Sequence, residues 1–135
     1  MSKQTVFQKV IAGELPSFKV WEDESHFAFL DISPFAPGHT LVVPKNPSSY
    51  IFDLDDDTYV NLLLASKKVA RILKKAMVVP RVGVIVAGYG VRDHVHVHLI
   101  PIHSENELLR GPQNISNAEM KNIHHKILEA MNSHV

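Results

Sequence analysis

The chain contains no cysteine, no excess of charge of either sign and no long apolar run. Each absence closes a class of function. Without cysteine there is no disulfide framework, no thiolate-ligated zinc and no thiol nucleophile, so covalent chemistry must come from another side chain. Lys and Arg number 14 against 14 Asp and Glu, and no basic stripe stands out. That balance removes the electrostatic footprint of sequence-independent nucleic-acid binding, while leaving a small anionic ligand possible. The longest apolar stretches, such as Val82 to Ala87, fall well short of the ~20 residues a bilayer requires. Lys3 precedes a brief apolar run, but Glu14 interrupts it and no small-residue cleavage site follows. A soluble, cytoplasmic protein with no nucleic-acid or membrane partner is expected. Asn114-Ile115-Ser116 fits the glycosylation pattern, but with no secretory signal it reads as chance.

What the chain does have in excess is histidine, nine in 135 residues. The length suits one compact domain, residues 1–135, with a real core. Phe7, Val10 and Ile11 predict a short helix from about Thr5 to Gly13. Phe18 to Glu22 and His26 to Ile32 read as strands joined by the acidic turn Asp23-Glu24-Ser25, and His39 to Lys45 as a third strand after the break at Ser33 to Gly38. From Asp56 to Met77 the spacing predicts the main helix, with Leu62, Leu63, Val69, Leu73 and Ala76 as its apolar stripe. Aspartates at its start and lysines at its end suit capping and the helix dipole, so the basic run is a solvated face. Arg81 to Ala87 and His94 to Pro101 are two further strands. Ser116 with Glu119 forms a capping-box pattern ahead of a last helix. The sum is an α+β domain: a five-stranded, mainly antiparallel sheet with one long central helix, a short N-terminal helix and a C-terminal helix.

The chemistry concentrates in Asp93-His94-Val95-His96-Val97-His98-Leu99-Ile100-Pro101. Side chains alternate along a strand, so His94, His96 and His98 share one face while Val95, Val97 and Leu99 enter the core. Histidine at three consecutive outward positions, where Thr, Lys or Ser is usual, is not the ordinary polar face of a strand. Along a straight strand His94 and His98 would lie ~13 Å apart, whereas zinc takes imidazole nitrogens at ~2.0–2.1 Å, so all three can hardly reach one ion. A two-histidine metal site would need a carboxylate, and Asp31 and Asp93 are the plausible ones. A row of imidazoles suits an extended phosphate better, because histidine donates hydrogen bonds to phosphate oxygens and attacks phosphorus. In that reading the middle histidine is the nucleophile and the outer two are its clamps. The Gly88-Tyr89-Gly90 pair lacks a third glycine and precedes a strand, which rules out a dinucleotide-binding loop.

His94 through Ile100 resembles the His-φ-His-φ-His-φ-φ signature, φ being apolar, of the histidine triad (HIT) superfamily of nucleotide hydrolases and transferases. Asp31 to Lys45 and Thr5 to Pro16 resemble two further blocks of its Hint branch, so the likeness spans roughly residues 5–103. The resemblance implies a HIT-like fold. It also implies that His96 forms a nucleotidyl-histidine intermediate, that His94 and His98 hold the α-phosphate, and that His39 joins them. Asp31 would accept hydrogen bonds from the ribose hydroxyls, with Phe7, Val10, Phe29, Leu30 and Ile32 forming the base and sugar pocket. The implied reaction releases a nucleoside 5′-monophosphate, AMP by preference, from a phosphoramidate or related leaving group without a metal or other cofactor. Hydrolysis of dinucleoside polyphosphates, or nucleotide binding with little turnover, are the alternatives. The implied assembly is a homodimer in which two five-stranded sheets join into one.

Two departures from that pattern stand out. Bacterial relatives with structural zinc carry cysteine where this chain has Thr5 and Gln8. The loop before the triad, Gly88 to Asp93, is short and lacks the usual phosphate-contacting Asn and Ser or Thr; Val91 offers no side-chain donor. Backbone amides of Gly88 and Gly90, or Arg92, are the candidates to replace them.

Overall fold

The computed structural model describes residues 4–89, 91 and 93–133. Its first helix, α1 (Val6–Ile11), starts on a reciprocal capping box. The Gln8 amide donates to Thr5 Oγ1 at 3.0 Å and the Thr5 amide donates to Gln8 Oε1 at 2.8 Å, satisfying two amide donors that the helix itself cannot. β1 (Lys19–Glu22) and β2 (His26–Leu30) form an antiparallel hairpin. Asp23 closes its turn by accepting from the amides of Ser25 and His26. β3 (Thr40–Pro44) follows, then a 3₁₀ turn at Ile51–Asp53 and the long helix α2 (Asp56–Met77). Asp55 caps α2 by accepting from the Thr58 amide at 2.7 Å. β4 (Arg81–Ile85), β5 (Val97–Ile102), a short α3 (Asn106–Leu109) and α4 (Asn117–Asn132) complete the order.

The sheet runs β1-β2-β3-β5-β4, and every neighbouring pair is antiparallel. Alternation along the strands divides its two faces. Ala28, Leu30, Val42, Val97 and Leu99 meet Leu62, Val69 and Leu73 of α2 and Ile123 and Ile127 of α4 in the main core. The opposite face carries Phe27, Phe29, Leu41 and Val43, covered by Phe7 of α1 in a smaller cluster. His98 lies opposite Leu41 in the β3–β5 register, which puts it on this second face.

Several expectations shift. Leu63 was expected in the stripe of α2 but is 39% exposed, because the buried arc runs through Leu62, Ala65, Ser66, Val69, Ile72 and Leu73. β4 stops at Ile85 and β5 begins only at Val97. Before it, the Val95 amide donates to the Ser48 carbonyl, outside the ladder. His94 and His96 therefore stand on the segment leading into the strand rather than within it. Among the described residues, no helix is long and apolar enough to cross a membrane.

Candidate active site

Four histidines from two distant stretches meet on the α1 face. His39 directly precedes β3, and its place depends on Gly38, which takes a φ of +87°. A Cβ there would lie 2.7 Å from Met77 Cγ, so both backbone and space require glycine. The rings of His96 and His98 are 5.0 Å apart and those of His39 and His98 5.2 Å apart. Phe7 sets its ring edge-to-face against both His94, at 5.5 Å, and His96, at 5.1 Å. The array is thus roofed by α1: His94 and His39 are fully buried, His96 is 6% exposed and His98 is half-buried.

The partners of each ring assign its protons. The Phe35 amide donates to His39 Nδ1 at 2.9 Å, so in the neutral ring the proton sits on Nε2. His39 Nε2 then donates to His98 Nδ1 at 3.0 Å, leaving the His98 proton on Nε2. His96 Nδ1 donates to the His94 carbonyl at 2.9 Å, which leaves Nε2 of His96 with the lone pair. A nucleophilic imidazole needs that tautomer.

His94 stands apart. Expected as an outer clamp on the phosphate, it has no exposure, and both ring nitrogens are engaged: Nδ1 with Thr5 Oγ1 at 2.7 Å and Nε2 with the Pro44 carbonyl at 2.6 Å. Its carbonyl rather than its ring meets His96. Nothing in the sequence pattern pairs it with Thr5, 89 positions away.

Burial holds His39 well below the ordinary imidazole value, at about 4; the neighbouring Asp31 carboxylate opposes that shift and His98 adds to it. Burial lowers His94 and His98 as well, with His96 pushing both down. Desolvation outweighs the Asp31 carboxylate at His39 and His98 and the Pro44 carbonyl at His94, so these three rings are neutral near pH 7.

An apolar cavity of about 360 Å³ lies on the same face. Phe7, Val10, Phe29, Leu30, Asp31 and Ile32, the six pocket residues expected from sequence, all line it. Sequence reasoning missed Val6, Leu15, Pro16, Ser17 and Leu41, which complete the wall. Leu41 could have been found by strand alternation with Val43. Asp31 links the cavity to the histidines: its Oδ1 accepts from the Ser33 amide at 2.8 Å and its Oδ2 lies 3.5 Å from His39 Nε2.

In the preceding loop, Gly88 adopts a φ of +76° with open space around it, and Val91 packs on the phenylalanine cluster. Gly90 and Arg92 lie outside the described residues. Among the other histidines, His26 pairs with Asp23, His125 with Glu129, and His124 donates to the Lys19 carbonyl, tying α4 to β1.

Asp31, His39 and His98 offer ligand atoms within 4.8 Å of one another, the one such group among the described residues. A cation there would meet the proton that the Phe35 amide fixes on His39 Nε2. Around Thr5 and Gln8 the donors are a hydroxyl and an amide, poor substitutes for the thiolates of a structural zinc site.

A family model described as the HIT domain matches residues 12–105. An uncharacterised HIT-like protein of Methanocaldococcus jannaschii is 44% identical over 101 residues, covering 71% of this chain and 77% of that one. The adenosine 5′-monophosphoramidase of Candida albicans is 36% identical over 110 residues, 74% of this chain and 71% of its own. Among solved structures, a HIT-like protein involved in cell-cycle regulation from Bartonella henselae superposes with a TM-score of 0.79 at 33% identity, covering 96% of this chain and 98% of that one.

Proposed function

Taking as premise that the chain belongs to the HIT family, we propose that it is a hydrolase that releases AMP from adenosine 5′-phosphoramidates through a covalent intermediate on His96. One observation carries this reading: the His96 Nδ1 proton is committed to the His94 carbonyl, which leaves Nε2 as a lone-pair nitrogen beside His98. That lone pair attacks the α-phosphorus, a P–N bond forms, and the leaving nitrogen departs with the electron pair of its broken bond to phosphorus, taking a proton from solvent to leave as the amine. His98 Nε2–H donates to a phosphate oxygen as charge develops there. Water then attacks the same phosphorus and releases a proton to solvent, the P–N bond to His96 breaks, AMP leaves, and His96 regains its lone pair. Gly88 and Val91 would bring backbone amides to the phosphate in place of the missing side-chain donors.

The sugar and base pocket follows from the cavity, which is apolar apart from Asp31 and Ser17. Asp31 accepts from the ribose hydroxyls, and the base packs on Phe7, Phe29 and Ile32 by its π-face and shape. The naming of fungal relatives as adenosine 5′-monophosphoramidases supports the choice of leaving group. Initial rates on adenosine 5′-phosphoramidate and on diadenosine polyphosphates, side by side, test it. The expected result is a higher kcat/KM on the phosphoramidate, unchanged by EDTA. The reverse preference would reassign the protein to dinucleoside polyphosphates, AMP binding without turnover would make it a binding module, and loss of activity on chelation would bring in a metal.

The proposed assembly is a two-fold dimer joined along β4, an edge strand whose Val84 is 59% exposed. An edge of unpaired backbone groups with an apolar side chain is suited to strand pairing. Light scattering should give twice the chain mass of 15.1 kDa; a monomer at micromolar concentration would contradict it.

A further inference from the structure

We infer that Thr5 is a positioning residue for the reaction: its hydroxyl, anchored in the first turn of α1, fixes the tautomer and ring plane of His94 and thereby the aim of His96. The inference rests on the reading of His96 as the nucleophile.

The argument follows the direction of each hydrogen bond. Thr5 Oγ1 accepts from the Gln8 amide at 3.0 Å, so its own proton is free to donate, and His94 Nδ1 lies 2.7 Å away. The Pro44 carbonyl, 2.6 Å from His94 Nε2, can only accept, so Nε2 carries the ring proton and Nδ1 the lone pair. This is the one neutral tautomer in which both contacts are hydrogen bonds. The ring is thus strung between the start of α1 and the end of β3. The His94 ring itself is fully buried, so a nitrogen left without its partner there is costly. One residue step away, the same His94 offers its carbonyl to His96 Nδ1 at 2.9 Å. Phe7, two residues beyond Thr5, packs on both rings. A polar chain from the Gln8 amide through Thr5 to His94 therefore ends on the backbone atom that sets the His96 tautomer.

Removing the Thr5 proton donor while keeping its shape should disturb this chain without touching substrate. In Thr5→Val, the buried His94 Nδ1 loses its donor, and kcat on adenosine 5′-phosphoramidate should fall about 10- to 100-fold with KM within about threefold of the original. Thr5→Ser, which restores the hydroxyl, should recover most of the rate. Gln8→Ala separates this role from helix capping, because it removes the other arm of the capping box and leaves the Thr5 hydroxyl on His94. It should lower thermal stability but keep kcat. Long-range proton–nitrogen spectra of the imidazoles supply a readout that needs no substrate. His94 should show the Nε2–H form and His96 the Nδ1–H form in the original protein, and Thr5→Val should turn the His96 signals into a mixture.

If Thr5→Val and Gln8→Ala lose rate equally, or if the His96 pattern is unmoved in Thr5→Val, the positioning role is overturned. If the protein turns over no phosphoramidate, the proposed function fails, while the spectra still decide the role of Thr5.

Discussion

His96→Ala is expected to lower kcat on adenosine 5′-phosphoramidate by about 10⁴- to 10⁶-fold, the scale on which enzymes lose rate when their nucleophile is removed. No other ring in the array can take over. His39 has one nitrogen accepting from the Phe35 amide and the other donating to His98. His98 has its lone-pair nitrogen occupied by His39, and its remaining nitrogen bears a proton. His94 has both nitrogens bonded and no access to the surface. His96 alone combines a lone-pair nitrogen without a protein partner among the described residues with a position between Phe7 and His98. Truncation there leaves a void under Phe7, so the variant's melting temperature should be measured beside its kinetics. A folded variant that keeps more than about a hundredth of the rate would show that the displacement does not pass through this histidine.

The second large effect is on stability in acid. The His39 value of about 4 against an ordinary 6.5 means that the folded protein binds fewer protons than the unfolded chain between those limits. Stability is therefore full above pH 6.5 and is lost as the pH falls towards 4. A gap of this width corresponds to a loss on the order of 3 kcal/mol from His39 alone. His94 and His98, also lowered by burial, act in the same direction. Urea unfolding at a series of pH values should show the decline, and His39→Gln, which cannot titrate, should flatten it while lowering stability at neutral pH. An equal slope in both proteins would place the acid sensitivity elsewhere. The same burial explains how the relay from Phe35 through His39 to His98 keeps its direction near neutral pH. A protonated His39 could not accept from the Phe35 amide.

The parts of this molecule that were legible in its sequence are those written in local order. α2 runs from Asp56 to Met77 as its periodicity and its aspartate cap indicate, and the β1–β2 hairpin turns at Asp23-Glu24-Ser25. The histidine row and the pocket residues were found by alternation and by resemblance to known motifs. What escaped was set by tertiary partners. Leu63 fits the helical stripe, but α2 presents a different arc to the sheet. α3 is four residues without a side-chain cap, too short for any periodicity to show. His94 looks like an equal member of the triad until Thr5 and Pro44, 89 and 50 positions away, occupy both its nitrogens. A spacing rule assigns a side chain to a face; it does not say which neighbours will have used that side chain's hydrogen-bonding capacity.

That distinction orders the proposed site. In the proposed mechanism His96 reacts, His98 and His39 direct a chain of hydrogen bonds towards the phosphate, and His94 with Thr5 holds His96 in place. The most direct test is the intact mass of the protein quenched within milliseconds to seconds of mixing with adenosine 5′-phosphoramidate, followed by peptide mapping under conditions that spare phosphoramidate bonds. A single adenylyl group on the peptide carrying His96, absent from His96→Ala, is the predicted result. An adduct that persists in His96→Ala, or one that maps to His98 or His94, would contradict the account.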